Sequence, residues 1–85
     1  MNELQRLQLV AEAVLEFKTQ IKNDFEVEKV GRLVLDIVRG MQDEQLTALV
    51  EEAYQQLPDY TAATQCLSEA QSYIDRRLDG LMTSQ

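Results

Sequence analysis

Apolar side chains recur every three or four residues along most of the chain, in four runs separated by short polar breaks. This spacing places them on one stripe of an α-helix, whereas a half-buried strand would alternate apolar and polar residues. The pattern therefore predicts helices over residues 2–22, 25–39, 44–57 and 61–80.

The breaks between these runs hold residues that end or begin helices. Asp24 and Asp43 are expected to act as N-caps of the second and third helices, because a short carboxylate side chain accepts hydrogen bonds from free amides. Gly40 is expected just past the end of the second helix, where a left-handed residue is common. Pro58 disfavours helix at the residue before it and ends the third run.

The phase of the apolar stripe jumps by about half a turn at the first two breaks, at about 100° per residue, so the chain is not one continuous helix. Connections of only a few residues favour antiparallel neighbours. The predicted fold is all-α, a small antiparallel up-down four-helix bundle. It is expected to form one domain over residues 1–82, followed by a loose tail at 83–85.

The composition removes several classes of function. Without histidine the chain lacks an imidazole base and the commonest metal ligand, and a single cysteine allows no internal disulfide. Fifteen acidic and eight basic residues give a formal net charge of −7, which disfavours direct contact with nucleic acid. We expect a protein without catalytic activity, cofactor or metal. An enzyme that relies on carboxylates, tyrosine or lysine alone, or on a bound cofactor, is the minor alternative.

Neither a secretory signal nor a membrane span is predicted. The first residues carry charges within their apolar pattern, and no stretch approaches the roughly 18 uncharged apolar residues that a bilayer requires. A single cysteine suits a reducing compartment. The expected location is the cytoplasm, with no membrane partner. Cys66 lies on the apolar stripe of the fourth helix, so we expect a buried free thiol that acts as a small hydrophobic group.

The negative charge is concentrated in the second half of the chain. Residues 1–42 have a net charge of −1 and residues 43–85 a net charge of −6, with no basic residue between Arg39 and Arg76. Such a surface either keeps the protein soluble or attracts a basic partner. The residues predicted to form this acidic surface are Glu44, Glu51, Glu52, Asp59 and Glu69. They support an alternative function, that of an acidic inhibitor of immunity or anti-restriction type that blocks a basic nucleic-acid-binding site.

The second helix is apolar over more than half of its circumference. Its core stripe is predicted to include Val30, Val34 and Ile37, widened by Leu33. The residues predicted to form a protein-binding surface beyond this stripe are Gly31, Leu35 and Val38, together with Leu9 of the first helix. The main functional hypothesis is a small binding module (a regulator, an adaptor or a chaperone-like protein) that associates with itself as a homodimer or with another protein.

Two charged residues interrupt the interior stripes, Lys18 in the first helix and Arg77 in the fourth. The first and last helices of an up-down bundle run antiparallel, which brings the end of the fourth helix beside the start of the first. We therefore predict that Arg77 approaches Glu3 and that both side chains remain partly exposed.

Overall fold

The computed structural model describes residues 2–83 and contains four α-helices in that part of the chain. They are α1 (Glu3–Asn23), α2 (Val27–Arg39), α3 (Glu44–Gln55) and α4 (Tyr60–Thr83). Each helix packs against the next one in sequence, and α1 also packs against α4. The predicted all-α four-helix bundle is confirmed. Within the described residues, no helix is both long enough and apolar enough to cross a bilayer.

Side-chain caps define three of the helix starts. The Asn2 side chain accepts from the Gln5 amide at 2.8 Å, and the Gln5 side chain accepts from the Asn2 amide at 3.2 Å, which completes a capping box. Asp43 accepts from the Leu46 amide at 3.1 Å, as predicted. Asp59 caps α4 in the same way, through the Ala62 amide at 3.2 Å.

The connection from α1 to α2 differs from the prediction. Asp24 is not the N-cap of α2, because it adopts the left-handed conformation, with φ of 53°, and ends α1. The Asp24 amide donates to the Ile21 carbonyl at 3.2 Å and the Phe25 amide donates to the Gln20 carbonyl at 3.1 Å, which together form a Schellman motif. Glu26 is also left-handed and gives α2 no side-chain cap.

The ends of α2 and α4 also differ from the prediction. Gly40 remains right-handed, with φ of −65°, and the left-handed residue in that connection is Gln42, with φ of 58°. The fourth helix continues through Gly80 to Thr83. The predicted tail is therefore helical at its first residue, and positions 84 and 85 lie outside the described residues.

The core runs along the whole bundle and is apolar throughout. No polar or charged side chain among the described residues is buried. Helix α1 contributes Leu7, Val10, Val14, Phe17 and Ile21, and the facing stripes of the other three helices close around them. Because the helices meet side by side, every helix retains an outward face on which functional residues can lie.

Candidate functional site

Three of the four residues predicted to form the protein-binding surface lie inside the bundle. Leu35 and Val38 belong to the core, and Gly31 is buried where α2 approaches both neighbouring helices. A Cβ atom at Gly31 would lie 2.7 Å from Phe17 of α1 and 2.9 Å from Tyr54 of α3. The close approach that glycine permits is therefore internal. The prediction for these three positions is wrong, because α2 packs against two helices and buries a wide arc.

The outward face of α2 instead carries Leu33 and Ile37, which the sequence pattern assigned to the core. Leu33 is 56% exposed and Ile37 is 39% exposed. At about 100° per residue, Leu33 points almost directly away from the buried Gly31. Arg32, on the α3 side of the helix, has a pKa raised by a hydrogen bond with Tyr54. Ile37 lies on the flank opposite Arg32, which is the side of α1.

Leu9 is the predicted surface residue that the structure leaves exposed, at 43%. Phe17 marks the side of α1 that meets α2, and Lys18 marks the side that meets α4. Around the axis of α1, Leu9 lies about 80° from Phe17, on the side away from Lys18. Leu9 therefore faces the side of the bundle on which α2 lies. We call Leu9, Leu33 and Ile37 the α1–α2 apolar face.

A groove of about 580 Å³ lies on the opposite side of α1, along α4. Leu15, which is 54% exposed, lies in this groove with Lys18, Lys22 and Tyr60. The Lys18 ammonium donates to the Ser68 hydroxyl at 3.2 Å and to the Gln71 side chain at 2.9 Å. These bonds explain how a lysine is accommodated next to the interior stripe, because its charged end reaches polar groups at the rim.

The structure brings part of the predicted acidic surface together and leaves part of it dispersed. Glu51 and Glu52 line one shallow cleft on the outside of α3. Glu44 lies in the first turn of α3, and Asp59 lies beyond the far end of that helix as the cap of α4. Among the described side chains, none of the five predicted acidic residues forms an ion pair.

Cys66 lies near two acidic side chains on the α3–α4 side of the bundle. It is a free, half-buried thiol packed against the core. Burial raises the pKa of the Cys66 thiol, and the nearby carboxylates of Glu52 and Glu69 raise it further. The thiol therefore has the surroundings of an unreactive cysteine, since the thiolate is the nucleophilic form. Glu52 and Glu69 thus place two negative charges near Cys66 on this side of the molecule.

The predicted approach of Arg77 to Glu3 is confirmed, and the structure adds two further partners. The Arg77 guanidinium contacts Glu3, lies 2.8 Å from an Asp43 oxygen and also donates to the Tyr73 hydroxyl at 3.3 Å. Tyr73 in turn donates to Asp43 at 2.7 Å. The cluster thus joins three helices at one end of the bundle. The topology contained the signal for Asp43, because α3 starts at the end where α4 finishes.

These contacts change the pKa of the Asp43 carboxyl. Burial alone raises the pKa of its carboxyl, but the hydrogen bonds from Tyr73 and from the Leu46 amide, with the charge of Arg77, bring the pKa below its ordinary value. The carboxylate is therefore better stabilised in the folded protein than in the unfolded chain. This cluster is a structural connection between helices, with its groups engaged with one another.

Within residues 2–83, no three side chains of histidine, cysteine, aspartate or glutamate gather closely enough to hold a metal ion. Comparisons with protein-family models, with curated protein sequences and with solved structures found no match to this chain.

Proposed function

We propose that this protein is a non-catalytic protein-binding module that uses the α1–α2 apolar face as its binding surface. The observation that carries the proposal is the exposure of three large apolar side chains, Leu9, Leu33 and Ile37, on one side of the bundle. Grouped apolar side chains favour association because they leave water when a partner covers them. Regulator, adaptor and chaperone-like roles all suit such a module.

The remaining exposed large apolar side chains do not make a comparable group. Leu15 lies in the groove along α4, Phe25 in the connection before α2, and Met82 near the end of α4. Single exposed residues of this kind are ordinary in folded proteins. The proposed compartment is the cytoplasm, which the free thiol of Cys66 favours.

Site-specific photo-crosslinking in living cells tests the proposal. A photoreactive phenylalanine derivative is placed at Leu33 and, in a separate variant, at Leu15, which has nearly the same exposure on the other side of α1. We expect a discrete adduct from position 33 that disappears when Ile37→Asp is added, and no such adduct from position 15. Equal labelling from both positions, or none from position 33, would contradict the proposal.

The acidic side of the molecule supports a second candidate function, an inhibitor that blocks a basic nucleic-acid-binding site. Its support is the pair of carboxylates, Glu51 and Glu52, that line one cleft on α3 and form no ion pair among the described residues. A photoreactive group at Ala48, in the cleft beside Glu51 and Glu52, tests this candidate. Electrostatic capture predicts an adduct that is lost in Glu51→Gln/Glu52→Gln and weakens between about 50 and 300 mM salt. An adduct insensitive to both changes would exclude this candidate.

A further inference from the structure

The outward face of α2 is arranged symmetrically about Leu33. At about 100° per residue, Lys29 and Asp36 lie within about 60° of Leu33 on one flank, and Val30 and Ile37 lie within about 60° on the other. On each flank, one residue precedes Leu33 in the sequence and the other follows it. One flank pairs a cation with an anion, and the other pairs two apolar side chains.

An antiparallel copy of α2 would match this arrangement residue by residue. A two-fold axis that passes between the two helices at the level of Leu33, perpendicular to both, brings each flank against the same flank of the copy. Lys29 then lies level with Asp36 of the partner subunit, to within one residue of helix rise, about 1.5 Å. Val30 lies level with Ile37 of the partner subunit to the same tolerance. Because the axis is two-fold, each contact occurs twice.

The two charged groups are available for such contacts, whereas Val30 is half-buried against the core of its own bundle. Lys29 is 72% exposed in its side chain, and its one ion-pair neighbour among the described residues, Glu26, lies at the distance limit of 4.0 Å. Asp36 is exposed and forms no ion pair within the described part of the chain. A shallow cleft of about 290 Å³ on this face leaves room for side chains of a copy, and its lining residues are Glu28, Lys29, Arg32, Leu33 and Asp36.

The distribution of charge also favours a copy on this side. Residues 1–42, which include α1 and α2, have a net charge of −1, whereas residues 43–85 carry −6. Two chains of net charge −7 repel each other, and they approach at least cost through their nearly neutral halves. The α1–α2 side is therefore where like-charge repulsion opposes association least.

We propose that the partner of the α1–α2 apolar face is a second copy of this chain, docked antiparallel through α2 about a two-fold axis at Leu33. This inference rests on the proposed function, because it names the occupant of the same surface. The ion pairs between Lys29 and Asp36 of the partner subunit fix the register, and the apolar contacts supply the attraction.

Analytical ultracentrifugation up to about 1 mM protein measures the association directly. We expect a concentration-dependent monomer–dimer equilibrium for the native chain. Leu33→Asp should weaken it at least tenfold, whereas the matched control Leu15→Asp should leave it within about twofold of the native value. Circular dichroism confirms that both variants remain folded. A native chain that stays monomeric over this range would overturn the inference.

Exchanging the charges at positions 29 and 36 tests the register between the two α2 helices. Lys29→Asp and Asp36→Lys each place like charges opposite each other, so each variant alone should dimerise about tenfold more weakly. A mixture of the two variants restores both ion pairs in the heterodimer, as does the double variant with itself. Failure of the mixture and of the double variant to recover the native affinity would refute this arrangement.

Crosslinking and ultracentrifugation together distinguish a failure of the dimer proposal from a failure of the proposed binding function. A crosslinked adduct from Leu33 with twice the mass of the chain supports self-association. An adduct with a different protein, combined with a monomer in the ultracentrifuge, overturns the dimer and leaves the proposed binding function in place. The absence of any adduct specific to Leu33, together with a monomer at every concentration, overturns both.

Discussion

Replacing Gly31 by alanine tests how closely α2 packs between its neighbours. A Cβ atom at this position would lie 2.7 Å from Cζ of Phe17 and 2.9 Å from Cδ2 of Tyr54. Real carbon contacts are not as short as either distance, so both rings or the α2 backbone must move. Phe17 is fully buried in the core and has no free space into which to rotate.

Two opposing effects determine how much Gly31→Ala changes the free energy of unfolding. Alanine stabilises a helix interior by about 1 kcal/mol relative to glycine. Overpacking a well-filled core costs about 1–3 kcal/mol, and a methyl group that meets two aromatic rings belongs near the upper end of that range. We expect Gly31→Ala to lower the free energy of unfolding by about 2 kcal/mol, which for a domain of this size lowers Tm by about 10 °C.

Gly80→Ala is the matched control. Gly80 also lies within a helix, α4, but a Cβ atom there would meet no atom within 4 Å. The same substitution should therefore stabilise the protein by about 0.5–1 kcal/mol and raise Tm by a few degrees. Thermal and urea unfolding followed by circular dichroism measure both variants. A Gly31→Ala protein as stable as the native chain would refute the packing described for Phe17 and Tyr54.

Two further predictions concern titratable groups. Folding lowers the pKa of Asp43, so its contribution to stability is full above the pKa of an unfolded aspartate, about 3.9, and is lost as the pH falls through the lower folded value. Asp43→Asn should cost about 1–2 kcal/mol in urea unfolding at pH 7 and lose less stability than the native chain on acidification. The raised pKa of Cys66 predicts alkylation at pH 8 that is slower than that of a free thiol and faster in Glu52→Gln/Glu69→Gln; equal rates would contradict it.

The sequence was sufficient to predict the bundle, because each of its four apolar stripes has helical spacing and the breaks carry recognisable capping residues. The pairing of Arg77 with Glu3 also followed, since an interior charge near one helix end needs a partner and the antiparallel topology supplies it. Asp43 was recognised as a cap, but its second role depends on the side chain of Tyr73, whose position only tertiary packing determines.

The residues proposed to bind a partner show why the exposed apolar face was harder to predict than the fold. On α2 the apolar positions span about 200° of the circumference, from Leu33 round to Leu35, at 100° per residue. Periodicity shows that this arc is apolar, but it does not show which part faces inward. Contacts with α1 and α3 select the part centred near Gly31, and they leave Leu33 and Ile37 outside. The sequence therefore shows that α2 is broadly apolar, but it does not show which of its apolar side chains remain exposed.

The dependence on salt concentration distinguishes self-association from capture of a basic partner. In the proposed dimer the acidic half of each copy begins one helix away from the interface, because α3 packs directly against α2. The Debye length falls from about 30 Å at 0.01 M salt to about 10 Å at 0.1 M, so repulsion between the two acidic halves is screened as the salt concentration rises. Self-association should therefore strengthen between about 10 and 100 mM salt in the ultracentrifuge. Capture of a basic partner by Glu51 and Glu52 should weaken over the same range, and a dimer that weakens steadily with salt would show that ion pairs rather than Leu33 provide its attraction.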